Sequence, residues 1–287
     1  MTDNGDASGG HQGRLGNLEL RILSAVVVGA AALLLTYLGG WPFRLLTVVV
    51  ALAVFYEWTT ITGRLAADRQ HVILSWTLLA VVLVMLLTGT AAAPLFAVLI
   101  LALVVSSVYA MLRDAGPWTT AGLAYAAVPA AALAFLRGSD WPGFVGVLFL
   151  FAVVWATDVF AYFVGRALRG PRLAPGISPG KTWSGAIGGA AAGTLAGLLV
   201  ALFAGASVGL AAMALVALCL SVVAQLGDLF ESAIKRRAEV KDSGSLIPGH
   251  GGVMDRVDGL VIAAFVFYLM GAMLSGADMP SRGFFLP

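Results

Sequence analysis

Nine unbroken apolar stretches, each about as long as a membrane is thick, decide what this chain can fold into. They cover residues 20–39, 42–62, 72–89, 91–112, 119–136, 142–164, 185–206, 208–234 and 258–275. A helix needs about 20 mostly apolar residues to cross the hydrocarbon core of a bilayer. Membrane strands would instead alternate apolar and polar residues with period two, and none of these stretches does; Leu, Ala and Val come in blocks. A helix satisfies all its backbone hydrogen bonds within one segment, which lipid demands. The chain is 60% hydrophobic and 11% charged over 287 residues, with a mean hydropathy of +0.95. Soluble domains are about 45–50% apolar. The expectation is an all-α, polytopic membrane protein with about nine transmembrane helices and a polar site facing the cytoplasm.

Charge sets the orientation. With nine spans, residues 1–19 and the loops after the second, fourth, sixth and eighth spans share one side. That side carries Arg14, Arg21, Arg64, Arg69, Arg113, Arg166, Arg169, Arg172, Lys181, Lys235, Arg236, Arg237, Lys241 and Arg256, 14 of the 17 Lys and Arg, and leaves Arg44, Arg137 and Arg282 on the other. The positive-inside rule places the richer side, with the amino terminus, in the cytoplasm and the carboxyl terminus outside the cell membrane. Residues 1–19 read as a disordered cytoplasmic tail and not as a signal peptide, because the apolar run that follows is too long and lacks a clear cleavage site. Residues 20–139 then hold about five membrane helices, and 140–287 the region with the chemistry. The single Cys219 lies inside an apolar run and reads as a small buried side chain. His11 and His71 fall in the tail and a short loop and read as incidental.

Two segments hold most of the charge. The first runs from Trp155 to Gly185. Asp158 sits near the end of the sixth span, where an acid costs about 2.5–3.5 kcal/mol at membrane depth; a reach to interfacial water and a functional role both fit. Further on, Ser178-Pro179-Gly180-Lys181-Thr182 leads into the seventh span. Ser or Thr there can cap the helix, and free amides beside Lys181 suit an anion. Pro175 stands where a Walker A loop needs glycine, so that motif is excluded.

The second segment starts at Gln225. On a helix Asp228, Ser232 and Lys235 share one face, with Glu231 beside them. Asp242-Ser243-Gly244 reads as the helix break. Gly249, Gly251 and Gly252 make a loop whose backbone can approach a ligand closely, with His250 between glycines and free to donate to a phosphate. Asp255 and Asp258 follow, three residues apart at the mouth of the ninth span. Basic residues alone would suit anionic headgroups, but Asp228, Asp242, Asp255 and Asp258 would be repelled there. Carboxylates beside bases make sense around Mg²⁺ and a polyphosphate: the ion takes one or two carboxylates, water and phosphate oxygens, and Lys and Arg neutralise the remaining charge.

Ser232, Ile234-Lys235-Arg236, Lys241-Asp242, His250-Gly251-Gly252-Val253, Asp255-Arg256-Val257 and Asp258, in this spacing, resemble the signature of the phosphatidate cytidylyltransferases, also called CDP-diacylglycerol synthases. GDLFES upstream and the SPxKTxxG stretch resemble the same family. Gly180 stands where that family usually has a second lysine, and Ser184 where a glutamate is common. The resemblance implies that CTP and phosphatidic acid give CDP-diacylglycerol and pyrophosphate. It also suggests site roles. Asp228 and Asp255 would be the main metal ligands, supported by Asp258, with one or two Mg²⁺ ions. Lys235, Arg236 and Lys241 would hold triphosphate oxygens, and Lys181 the lipid phosphate or leaving pyrophosphate. Ser178, Ser232, His250 and Arg256 would complete substrate binding. The expected partners are CTP, phosphatidic acid and membrane lipids, with no nucleic acid.

Two other readings compete. A CTP-dependent polyprenol kinase would release CDP instead of pyrophosphate. A transporter would place its ionisable groups at mid-membrane and show inverted repeats, which this chain lacks. Gly185, Gly189, Gly193 and Gly197 form a smooth stripe suited to close helix packing, either internal or between two subunits of a homodimer. Glu57, near the end of the second span, reads as an acid snorkelling to the interface.

Overall fold

The computed structural model describes residues 12–63, 68–247 and 251–286, without the side chains of 12–23 and 25. Among these residues the chain forms nine α-helices: α1 Gln12–Leu38, α2 Gly40–Thr62, α3 Arg69–Thr88, α4 Ala92–Arg113, α5 Trp118–Arg137, α6 Trp141–Leu168, α7 Trp183–Ala204, α8 Leu210–Arg237 and α9 Met254–Ser275. A short hairpin, β1 Arg172–Ala174 and β2 Ser178–Thr182, separates α6 from α7. α2 to α9 are each long and apolar enough to span a membrane; the described part of α1 holds a shorter apolar stretch, Val26–Leu38. α1 begins at Gln12, inside the segment read from sequence as a disordered tail, and residues 1–11 lie outside the described residues.

Local chemistry sets the helix ends. Asp68 caps α3 by accepting from Gln70 N at 2.9 Å and His71 N at 3.1 Å. Asp140 caps α6 through Gly143 N at 3.0 Å, and Thr182 caps α7 through Gly185 N at 3.1 Å. The last is the capping role its sequence position suggested. α6 and α8 each have 28 residues, or about 42 Å of helix, against a hydrocarbon core of about 30 Å. Each is thus about two turns longer than that layer, and on α8 the last turns carry the charge.

Two apolar clusters fill the interior. One joins α2, α3, α4 and α5 to the charged ends of α8 and α9; the other packs α5 against α6, α7, α8 and α9. The tightest pairing is α6 on α7. A Cβ at Gly185 would lie 2.6 Å from Ala161 O, at Gly189 2.6 Å from Thr157 O, and at Gly193 2.9 Å from Val153 O. The glycine stripe is thus used inside the subunit, its backbone pressed onto the carbonyls of α6. α8 and α9 cross as closely: a Cβ at Gly227 would meet Asp258 O at 2.7 Å, and one at Gly259 would meet Ala224 O at 3.0 Å.

The end of the bundle away from the charged segments holds Arg44, Arg137 and Arg282, the three cations that break the charge asymmetry. Each has a structural task. Arg137 is buried and donates to Thr36 O at 2.5 Å, Tyr37 O at 3.0 Å and Asp140 O at 3.1 Å, tying down the end of α1. Arg282 pairs with Asp140 at 2.6 Å, and Arg44 packs against Gly89.

The structure corrects four details of the sequence reading. The segment before α7 is a β-hairpin and not an open loop, with Arg172 paired to Thr182 and Ala174 to Ser178. α8 ends at Arg237, before the Asp242-Ser243-Gly244 break, and Glu239 adopts a left-handed φ of 57°. α9 starts at Met254, ahead of the expected span start at 258, so Asp255 as well as Asp258 sits within its first turns. His71 lies on α3, fully buried, with its Nε2 2.9 Å from Ser106 Oγ on α4; it joins two helices and is not incidental.

Candidate active site

The end of α8 and the start of α9 lie side by side because Gly227 and Gly259 let their backbones touch. This brings Asp228 and Asp258 into one neighbourhood. Asp228 pairs with Lys181 at the foot of the hairpin, and Ser232 Oγ lies 3.4 Å from Asp228 Oδ1 one turn on. Asp258 accepts from Gly259 N at 2.8 Å and feels the charges of Asp228, Asp158 and Lys181. Three carboxylates therefore share this space with one ion-paired lysine.

Lys235, two turns along α8, meets a second pair of acids. Its Nζ lies 2.6 Å from Glu231 Oε2 and 2.7 Å from Asp255 Oδ1. Glu231 is fully buried, and among the described residues neither of its oxygens has a hydrogen bond of good geometry. Asp255 is held at its other oxygen: Oδ2 accepts from Ser243 N, Ser243 Oγ and Gly252 N, each at 2.9 Å. Glu231 also feels Asp258 and Asp255, so both groups of acids belong to one polar site. Tyr125 of α5 is buried beside it, its hydroxyl without a hydrogen-bond partner among the described residues.

A cavity of about 550 Å³ opens beside Asp228. Asp158, Lys181, Gly180, Arg166, Tyr162 and Gln225 are among the residues that line it, between α6, α7, α8 and the hairpin. Asp158, which the sequence left between two readings, thus faces the cavity. Gly180, where a second lysine is common, has open space beside it. Ser184, in the first turn of α7, donates to Arg169 O and ties the start of α7 to the end of α6.

The other candidates are spread more widely. Arg236 reaches the hairpin turn and donates to Ile177 O at 3.3 Å. Ser178 is half-buried in β2, and Lys241 is exposed on the loop after α8. Arg256 is exposed and lines an apolar groove on the opposite face of α9 from the acids. His250 lies outside the described residues. Asp228 and Asp255 share the site but bind different partners, Lys181 for the first and Lys235, Ser243 and Gly252 for the second.

The structure corrects the reading of Glu57. It does not snorkel: it is 1% exposed and accepts from Val253 N at 2.8 Å, Met254 N at 2.7 Å and Ser243 Oγ at 3.0 Å. The only sequence signal was an acid inside an apolar run, and its partners lie nearly two hundred residues away.

Among the described residues no three acidic, His or Cys side chains form a ready-made metal cage. Mg²⁺ does not require one, since one or two carboxylates, water and phosphate oxygens suffice. Asp158, Asp228 and Asp258 bring hard oxygen donors, the type such a cation takes, to the neighbourhood of Lys181, without three of them converging on one point.

A family profile described as "Cytidylyltransferase family" matches residues 19–274. A Brucella suis biovar 1 protein named phosphatidate cytidylyltransferase is 48% identical over 274 residues, spanning 94% of this chain and 99% of that protein. A Rickettsia bellii protein of the same name is 34% identical over 191 residues, covering 63% of this chain and 82% of its own length. One from Bacillus subtilis is 40% identical over 136 residues, covering 47% and 51%. With the matched profile running from the first span through the last, and these acids and lysines gathered at one end of the bundle, the chain belongs to the cytidylyltransferase family.

Proposed function

We propose that this protein is a phosphatidate cytidylyltransferase that transfers the cytidylyl group of CTP to phosphatidic acid at the cytoplasmic face of the membrane. One observation carries the reading: the signature residues Lys181, Asp228, Lys235, Asp255 and Asp258, spread over 78 positions of sequence, converge on one polar site beside a cavity at the end of a membrane bundle. A site so placed serves one substrate anchored in lipid and another dissolved in water.

In the reaction an oxygen of the lipid phosphate attacks the α-phosphorus of CTP in line. The new P–O bond forms as the bond from the α-phosphorus to the α,β-bridging oxygen breaks, and pyrophosphate takes that electron pair. No protein nucleophile is required, so the side chains act by positioning and by stabilising charge. Lys181 stands at the cavity and meets the lipid phosphate or the departing pyrophosphate. Arg236 and Lys241, on the exposed side, hold triphosphate oxygens. Lys235 keeps Asp255 in place and offers its remaining donors to phosphate. Asp228 and Asp258 are the best placed to hold Mg²⁺. Asp255 would contribute only through Oδ1, the oxygen that Lys235 holds at 2.7 Å, because three donors occupy its Oδ2. When bound, Mg²⁺ supplies Lewis-acid stabilisation of the phosphate oxygens.

The test uses the purified chain in detergent with α-labelled CTP, MgCl₂ and phosphatidic acid. Label in a CDP-lipid, with one pyrophosphate released per turn, is expected. Release of CDP with phosphorylation of a polyprenol would replace the proposal with the kinase reading, and no turnover of either lipid would end it.

A further inference from the structure

α9 begins without a cap of its own. Val253 stands at its N-cap position and offers no side-chain acceptor, although the first turn of any helix leaves backbone amides unpaired. Two of these amides, Val253 N and Met254 N, donate instead to Glu57 of α2. Among the described residues every hydrogen-bond donor to this buried carboxylate is neutral, so its charge is balanced by backbone amides and the positive end of the α9 dipole.

The loop is built to admit it. A Cβ at Gly244 would lie 2.7 Å from Glu57 Oε1, and a Cβ at Gly252 would run into both Ser243 and Glu57. At these two positions the glycines make room for a protein carboxylate. Ser243 then joins Glu57 to the site, its Oγ lying 3.0 Å from Glu57 Oε2 and 2.9 Å from Asp255 Oδ2. Asp255 stands on the turn of α9 that Glu57 holds, and Asp258 one turn further on.

We propose that Glu57 is a positioning residue: from the second membrane helix it fixes the start of α9 and Ser243, and through them the orientation of the Asp255 and Asp258 carboxylates. It touches neither substrate. Its role rests on the cytidylyltransferase reading above, and it makes α2 part of the active machinery.

The experiment compares wild type, Glu57→Gln and Ser243→Ala in detergent. Glu57→Gln turns one acceptor into a donor facing backbone N–H groups. Ser243→Ala removes the bridge and leaves the contacts of Glu57 with α9 intact. Per folded molecule, both variants should lose about 10–100-fold in kcat, the scale for residues that orient metal ligands. Their KM for phosphatidic acid should stay within twofold of wild type, and their half-saturating Mg²⁺ should rise. A second readout needs no turnover: Mn²⁺ binding followed by electron paramagnetic resonance should weaken in both variants. If either variant folds and keeps wild-type kcat, Mg²⁺ dependence and Mn²⁺ affinity, the proposal fails. If Glu57→Gln does not fold, Ser243→Ala decides alone. A wild-type protein that makes no CDP-lipid would refute the cytidylyltransferase reading instead, while Mn²⁺ binding would still judge the positioning role.

Discussion

Lys181 and Asp258 show how far single side chains can be read. Lys181 is the cation that balances Asp228 in the cavity. Lys181→Met removes it with little change in bulk, and kcat should fall by about 10²–10³-fold, as for other lost charge stabilisers. A pyrophosphate-release assay at saturating CTP checks this. Asp258→Asn should abolish turnover but leave the protein folded in the membrane, as should Asp255→Asn. An active Asp255→Asn enzyme with normal Mg²⁺ dependence would remove Asp255 from the metal site. The sequence singled out these residues because clustered acids and bases in a greasy chain need a reason. It gave no hint of what each one touches. Asp255 is held by four donor contacts from Lys235, Ser243 and Gly252, and only folding could bring those groups together.

Among the elements, the α6–α7 pair is the most constrained. Gly193 faces Val153 O, Thr157 and Ser221 Oγ, so Gly193→Ala should overpack the contact and cost about 1–3 kcal/mol. Thermal unfolding in detergent measures that cost, and the larger Gly193→Leu should lower the yield of folded protein. At the other end of the bundle, Arg137→Ala removes three hydrogen bonds from a buried charged donor to backbone carbonyls. It should lower the unfolding temperature and leave kcat per folded molecule unchanged. The sequence showed that the glycines form one face but left their partner open, since a stripe of small residues fits another helix of the same subunit or a second copy equally well. It also missed the hairpin before α7. Three- and five-residue strands are too short for period-two alternation to show, and Pro and Gly in the segment suggest a loop.

For the whole molecule the expectation to test is orientation. Cys219 is the only cysteine, so a Cys219→Ala background allows single-site labelling. Cysteines placed at Arg236 and Asp140, at opposite ends of the bundle, should react with a membrane-impermeant maleimide from opposite sides. Arg236→Cys should label only once the cytoplasmic face is opened, and labelling of it in intact cells would reverse the topology.

The sequence by itself determined the type and approximate limits of the apolar helices. An apolar block of about 20 residues in lipid has no other way to satisfy its backbone, so local composition settles the element. It also marked which helix ends carry the chemistry, because charge in such a chain is costly and stands out. Tertiary structure alone decided which charges meet: Lys181 with Asp228, Lys235 with Asp255, and Glu57 with the start of α9. Hydrogen bonds and ion pairs act over about 3 Å of space, whatever the separation along the chain. The pairing across α2 and α9 came into being only when the bundle closed.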